Sequence, residues 1–591
     1  MHIVENYNKK VDRIYCYAAE CFWDKQSKTY RKPRISIGHL EGNPPVFVAN
    51  KRFSRILASD LETPSLTDEH TKELIATVTA KYGDVTCSLD LTDTTIPEQT
   101  ARAVFSGPSL VFGGITDRYH IDTMLRKAFG EDDARDILSL SWYLALEGGA
   151  LSNSDVWLDQ YETPSGRGIS SQEITRLLDR MGQDGIMTYY KDWLRNFQKR
   201  NDKVLYDLTS ISWYGQGINM AGWGHSHSHE NLPQVNFALL CARNTAMPLF
   251  AWPLEGSITD VRTLQNTLQF LEKLEYKPDT LMMDRGFASI RNIDFMLKQG
   301  RTFLQALRVN ANWIYDIIDE GRSSRLRPDS MLKVDERTYY ASTTSCQWVT
   351  LEKTSKRGKT VEETFVYHCK EKKGEKYIAK DAERILSQYS CKVHVLFCQD
   401  LVGNQWDRFM EKLNKEYERL MENEDAEPVS ELKNFFLIER RKWARKRSVE
   451  FNMESITKQR NDYAGHICFI TNDKTIPTAK DALKEYSTRD YIEKDFDELK
   501  NELDMRRIRV HTDGRMKARL FIQFIAEIYI REIRVLLRNE EVGKKMTRKQ
   551  IASHIKGIYK IKFKGKYRDV RPELSKAQRV ILGALGIRDS R

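Results

Sequence analysis

The sequence predicts an α/β fold, and two observations carry that expectation. Strand-like apolar runs at 204–211, 234–241 and 248–254 follow one another as a meander. Beyond residue 260 such runs alternate with amphipathic helical patterns: helix 261–274, strand 279–284, helix 289–299, strand 302–307. A meander that passes into strand–helix alternation is the order expected of a sheet covered by helices.

The elements divide the chain into five stretches. Residues 1–200 read as a mainly helical N-terminal region. Helical patterns lie at 68–81 and 119–150, and a further pair at 171–182 and 187–199 is separated by Gly185. One strand pair is expected within it, RISIGHL (34–40) and VFVAN (46–50) around a turn at Gly42–Pro45. Residues 201–310 hold the first part of the core. Residues 311–460 interrupt it as a β-rich insertion. There RTYYAST (337–343), QWVTLEKT (347–354) and ETFVYHC (363–369) alternate as half-buried antiparallel strands do. A charged helix at 405–423 and the basic stretch RRKWARKR (440–447) follow. Residues 461–538 return to the core with HICFI (466–470) and helices at 481–503 and 515–538, and 539–591 form a basic tail.

Composition narrows the function class. With 591 residues, 40% hydrophobic and 30% charged, the chain is a multidomain globular protein, not a collagenous or broadly disordered one. No apolar run reaches the roughly 18 to 20 residues of a membrane helix, and the N-terminus lacks an apolar signal core. A cytoplasmic protein with no membrane partner is expected. The nine Cys are scattered without a CxxC pair, so no disulfide framework or zinc ribbon is signalled. The net charge of +11 sits in one place. Residues 541–591 carry 15 Lys and Arg against 4 Asp and Glu, which is the whole excess. A localised basic segment fits a polyanion such as nucleic acid. A solubilising tail fits it equally.

Asp207 lies inside an apolar strand, where an unpartnered carboxylate is costly. Asp284 ends a second apolar strand, before the turn Arg285–Gly286. Carboxylates at neighbouring strand ends of an α/β sheet converge at the edge where ligands bind. Paired carboxylates are hard oxygen ligands for Mg²⁺ or Mn²⁺. Taken singly, each could be a buried hydrogen-bond acceptor or a turn residue. The helix after HICFI carries Tyr486, Arg489, Glu493 and Lys500. At helical pitch these four share a stripe about 60° wide and about 21 Å long, beside an apolar face of Ile492, Phe496, Leu499 and Leu503. Such a stripe could track a phosphate backbone, or could be a solvated face.

Asp207 in its strand, Asp284 in LMMDRGF, and Glu493 within Y-x2-R-x3-E-x6-K together resemble the DDE transposases of bacterial insertion sequences. The likeness is to the subgroup with that signature and a long insertion before the final Glu. GHSHSHENLPQVNFALL (224–240), SITDVRTL (257–264) and ARLFIQFIAEIYI (518–530) are similar to it as well. The resemblance spans about residues 200–310 and 461–538. It implies a ribonuclease-H-like catalytic core interrupted by the insertion. It implies that Asp207, Asp284 and Glu493 are catalytic and hold two divalent ions, Mg²⁺ or Mn²⁺. One ion would activate water or a 3′-hydroxyl and the other would stabilise the leaving oxygen. Tyr486, Arg489 and Lys500 would bind DNA phosphates.

The same resemblance implies double-stranded DNA partners, the terminal inverted repeats and target DNA, held by a homodimer in a synaptic complex at the bacterial nucleoid. It implies cut-and-paste transposition. An endonuclease of the same fold without strand transfer, or a domesticated DNA-binding protein, are the competing readings. In related transposases an aromatic of the insertion stacks on a flipped base. Trp313, Trp348, Trp406 and Trp443 are the tryptophans available for that part, and each could instead be core. His225, His227 and His229 have no Cys in their loop, and a zinc site there is not expected.

Overall fold

The computed structural model describes most of the chain. Outside the described residues lie 54–67, 84–100, 199–202, 224–231, 355–359, 368–383, 440–446, 490–509, 538–545, 564–568 and 588–591, with scattered single residues and short runs, most of them before residue 53. Two compact units divide at 101/102, not at 200.

The first unit is a small antiparallel sheet with a helix. Strands β1 (His2–Asn8), β2 (Arg13–Ala19), β5 (Arg34–Glu41) and β6 (Val46–Ala49) lie side by side in that order, and a hairpin of β3 (Phe22–Asp24) and β4 (Thr29–Arg31) forms within the β2–β5 connection. Helix α1 (Asp68–Tyr82) buries Leu74 and Val78 against Cys16, Ala18, Ile37 and Phe53. Its last turn is fixed by Tyr82, which stacks on Phe47 at 4.4 Å and donates to Glu5 at 2.6 Å. The expected strand pair at 34–50 is thus β5 and β6. The expectation of a mainly helical N-terminal region is corrected over residues 2–49. Strand β1 (HIVENYN) is exposed or half-buried throughout and largely polar, so it carries no strong apolar signal.

The second unit begins with β7 (Ala101–Phe105) and continues into helices α2 (Gly107–Tyr119), α3 (Ile121–Phe129), α4 (Glu131–Leu146), α5 (Ser171–Arg180) and α6 (Gln183–Arg195). A ten-stranded mixed sheet follows. Its first five strands are β8 (Lys203–Ser212), β9 (Gln234–Ala242), β10 (Pro248–Leu254), β11 (Thr280–Met283) and β12 (Thr302–Leu307). They stand in the order β10-β9-β8-β11-β12. The meander β8–β9–β10 is antiparallel, whereas β11 runs parallel to β8 and β12 parallel to β11. Helix α7 (Asp260–Lys273) links β10 to β11, and α8 (Ile290–Lys298) links β11 to β12.

The insertion does not form a sheet apart. After β13 (Met331–Val334), β14 (Arg337–Thr354), β15 (Thr360–Tyr367) and β16 (Arg384–Phe397), the chain runs through helix α9 (Val402–Glu422) and the hairpin β17 (Phe436–Glu439) and β18 (Ser448–Phe451). It then returns as β19 (His466–Thr471), which inserts between β12 and β16. The insertion's strands therefore extend the core sheet. Val393 and Val395 on β16 pair with Ile470 and Cys468, and all four are fully buried. Helix α9 closes a satellite core with Leu413, Leu420, Phe435 and Phe436.

Helix α10 (Ala479–Ser487) follows, capped by a reciprocal Thr478–Asp481 box. Helix α11 (Asp513–Leu537) is the central packing element. Phe521 and Phe524 meet Tyr190 at 5.7 and 4.9 Å, and Tyr529 packs on Phe112 at 4.8 Å. The Tyr529 hydroxyl reaches Thr116 at 2.7 Å. Among the described residues no helix is long and apolar enough to cross a membrane.

The basic tail is built into this unit. Helix α12 (Arg548–Lys556) buries Ile551 and Ile555, β20 (Tyr559–Phe563) pairs with β7, and α13 (Lys576–Ala584) packs beside α12. Gly107 sits so close that a β-carbon would lie 1.8 Å from the Ile555 carbonyl. Lys556 pairs with Glu147, and Lys560 and Lys562 with Glu162. The basic tail is therefore packed on the helices that open this unit. Part of its charge is neutralised at home.

One clasp at the sheet's far end titrates. Asp473, just after β19, accepts from the Thr475 amide and hydroxyl at 2.8 Å each and from Thr280 at 2.9 Å. Burial pushes its carboxyl up, but those donors and Lys203 outweigh it and hold the group below the ordinary value of 3.8. A depressed carboxylate contributes stability above its unfolded pKa and loses it as pH falls through the folded value. Asp473→Asn is therefore expected to cost about 1–3 kcal/mol at neutral pH. The difference from wild type should shrink below a pH of about 3.8, read by urea denaturation at stepped pH.

Candidate active site at the parallel strand pair

Strand β8 is buried along nearly its whole length, as a central strand packed on both faces must be. Tyr206 turns to α7, with its hydroxyl 3.3 Å from Thr263 and 3.2 Å from Thr267. Asp207, one residue on, faces the other side of the sheet. The parallel register pairs Met283 with Tyr206, so the next two positions are Asp284 and Asp207. Neighbouring strands lie about 4.8 Å apart, and the two carboxylates share one edge of the site.

Asp284 ends β11 and caps the short helical turn Arg285–Phe287, accepting from the Arg285 amide at 2.6 Å. Its carbonyl accepts from Gln305 on β12 at 2.6 Å. Asp207 accepts from the Leu208 amide at 2.9 Å. Both side chains keep partial access to solvent, 20% for Asp207 and 28% for Asp284.

Helix α10 brings the cationic partner. Glu485 anchors it, pairing with Lys203 at 3.2 Å and Arg243 at 3.0 Å. Tyr486 packs on Phe469 at 4.8 Å and donates to Asp284 at 2.9 Å. Arg489, only 6% exposed, lies 2.8 Å from Asp284 and 3.9 Å from Asp207, and donates to the Tyr486 hydroxyl at 2.6 Å. Burial pushes the Asp284 carboxyl up. The Arg489 charge, the Tyr486 hydroxyl and the Arg285 amide outweigh it and hold the group below the ordinary carboxylate range. Burial pushes the Tyr486 phenol well above its usual value, so it stays a neutral donor.

The structure thus brings together four of the six predicted site residues: Asp207, Asp284, Tyr486 and Arg489. Glu493 and Lys500 lie outside the described residues, as do Trp443 and His225, His227 and His229. The picture of Arg489 on an outward stripe is corrected. It is buried against the carboxylates because they, not solvent, offer the guanidinium its acceptors. Asp207 and Asp284 offer the hard carboxylate oxygens a divalent cation takes, although among the described residues no third carboxylate, His or Cys joins them.

A cleft of about 1170 Å³ opens from Asp284 and runs to α9, lined among others by Arg308, Tyr315, Trp406, Arg408 and Lys412. Trp406 packs on Phe409 at 5.6 Å with the Arg460 guanidinium 5.5 Å over its ring. Trp348 is fully buried and meets Trp313 edge-on at 6.2 Å, so both belong to packing. Gln305 and Arg308 were not anticipated from sequence. Arg308 donates to the Arg285 carbonyl at 3.2 Å. Its signal was its place one residue past a parallel strand, the same edge rule that singles out Asp284.

Known proteins resemble much of this chain. A family model described as a transposase DDE domain matches residues 198–527, more than half of the chain. Among solved structures, the cryo-EM structure of a piggyBac transposase synaptic complex with hairpin DNA is similar at 10% identity and a TM-score of 0.34, covering 77% of this chain and 80% of that one. No curated protein matches.

Proposed function

The chain belongs to the transposase DDE domain family, and from that premise we propose that it is a DNA transposase acting at the ends of an insertion sequence. The observation that carries this reading is the register that sets Asp284 beside Asp207 within the matched region. The strand order β10-β9-β8-β11-β12, with β9 alone antiparallel to β8 at the centre, supports a ribonuclease-H-like core.

Asp207 and Asp284, with Glu493, would hold two divalent ions, Mg²⁺ or Mn²⁺. Bound there, such ions supply Lewis-acid activation of water or a 3′-hydroxyl and stabilise the departing oxygen. The chain's own residues set the geometry. The Leu208 and Arg285 amides aim the two carboxylates. Gln305 fixes the Asp284 backbone, and Tyr486 holds Arg489 at the site's edge. Arg489 and Lys500 are assigned to phosphates of the bound end, and the cleft with Arg308, Arg408 and Lys412 to the continuing strand. Trp406 is the insertion tryptophan best sited to meet a base, because it lines that cleft together with Asp284. A homodimer holding two ends, working in the bacterial cytoplasm at the nucleoid, completes the proposal.

The test is incubation of purified protein with DNA bearing its element's two terminal sequences, a target plasmid and Mg²⁺. Cleavage at the ends followed by joined products is expected, both abolished by chelator. Cleavage without joining would favour an endonuclease, and cleavage indifferent to chelator would refute the metal mechanism.

A further inference from the structure

We propose that Arg489 is an internal counter-ion that occupies the cation's electrostatic place in the DNA-free protein and leaves it for a phosphodiester, so that DNA and divalent metal bind cooperatively. This rests on the assignment of Asp207 and Asp284 as metal-holding residues. The guanidinium lies 2.8 Å from one carboxylate and 3.9 Å from the other, and 94% of its residue surface is shielded. A cation entering between Asp207 and Asp284 meets a positive charge already there.

The residue type matters. Arginine does not give up its proton in proteins, so the compensation cannot be relieved by deprotonation. It is relieved only by moving the side chain. Tyr486 steadies the closed arrangement, with its oxygen accepting from Arg489 at 2.6 Å and its proton donated to Asp284 at 2.9 Å. A phosphodiester offers a guanidinium two oxygens in a matching fork. Once Arg489 turns to that fork, the two carboxylates lose its charge while staying partly desolvated, and their affinity for a divalent cation rises. Linkage makes the effect mutual: metal that displaces Arg489 frees it for phosphate. The site is thereby armed by its substrate.

The experiment is Mn²⁺ titration of the full chain, followed by electron paramagnetic resonance of the free ion. It is run with and without a short duplex, with the duplex-alone titration subtracted. In the absence of DNA, Arg489→Gln is expected to bind Mn²⁺ roughly tenfold more tightly than wild type. The duplex should tighten Mn²⁺ binding by wild type by a similar factor and leave Arg489→Gln nearly unchanged. Tyr486→Phe, which removes one oxygen and keeps the ring packed on Phe469, should tighten DNA-free binding by a smaller factor. Unchanged or weaker Mn²⁺ binding by Arg489→Gln and Tyr486→Phe, or DNA-induced tightening as large in Arg489→Gln as in wild type, would overturn the proposal. Asp284→Asn separates the premise. If it binds Mn²⁺ as wild type does, the assignment of the metal-holding residues fails, whatever Arg489 does.

Discussion

Asparagine at Asp207 or at Asp284 is expected to lower DNA cleavage about a thousandfold or more while leaving the protein folded. The change is nearly isosteric. An Asn oxygen can still accept from the Leu208 amide or the Arg285 amide, so the strand end and the turn keep their geometry. What is lost is one of two negative charges that would hold the metal. Several kcal/mol of transition-state stabilisation depend on such an ion, and each 1.36 kcal/mol is tenfold in rate. Measured cleavage rates on end-bearing DNA, with thermal unfolding as the control for folding, check this. A variant within tenfold of wild type and equally stable would remove that carboxylate from the site.

The second large effect is on the fold. Trp348→Ala should destabilise the protein by about 3–5 kcal/mol, the usual consequence of emptying a fully buried indole. Trp348 sits in β14, where the insertion's strands extend the core sheet, and its neighbour Trp313 packs edge-on against it. The damage should therefore be felt by the whole sheet as one unit. Trp406→Ala is the contrasting variant. Its ring is only partly buried and lines the cleft, so the melting temperature should barely move. Binding of single-stranded DNA should weaken by about 1–3 kcal/mol, the worth of one base–aromatic stack. Equal losses of stability in both variants would contradict the division between core and cleft.

Much of this architecture is legible in the sequence because it is written in local pattern. The runs from 204 to 307 are apolar enough to be central strands, and their alternation with helices gives the parallel pair that matters. Asp207 and Asp284 stand out as the polar interruptions of those runs. What local pattern does not carry is partner choice across long separations. Strand β19 finds β12 on one side and β16 on the other, which turns an insertion into a continuation of the sheet. Strand β20 alternates visibly, yet its partner β7 lies more than four hundred residues upstream. In the first fifty residues β1 is exposed or half-buried throughout, and β2 and β5 bury only a few positions such as Cys16, Ala18 and Ile37, leaving little apolar period to read. Arg489 is the instructive case for the site. A helical wheel places it correctly beside Tyr486 but says nothing of the carboxylates waiting on another element, and those decide where its side chain goes.

The tail shows the same logic at the level of charge. Its excess of basic residues is plain in the sequence, but three of its lysines are paired with Glu147 and Glu162. Net charge alone overstates the field available to a polyanion, since surface pairs are screened and locally neutral.

The central claim is that Asp207 and Asp284 together hold divalent metal at the point of DNA cleavage. The most direct test is anomalous diffraction from crystals of the protein with end DNA and Mn²⁺. The account predicts anomalous peaks coordinated by both carboxylates, beside the scissile phosphate, with Arg489 turned from Asp284 to the DNA backbone. Manganese bound elsewhere, with Asp207 and Asp284 still paired to Arg489 in the DNA complex, would contradict it.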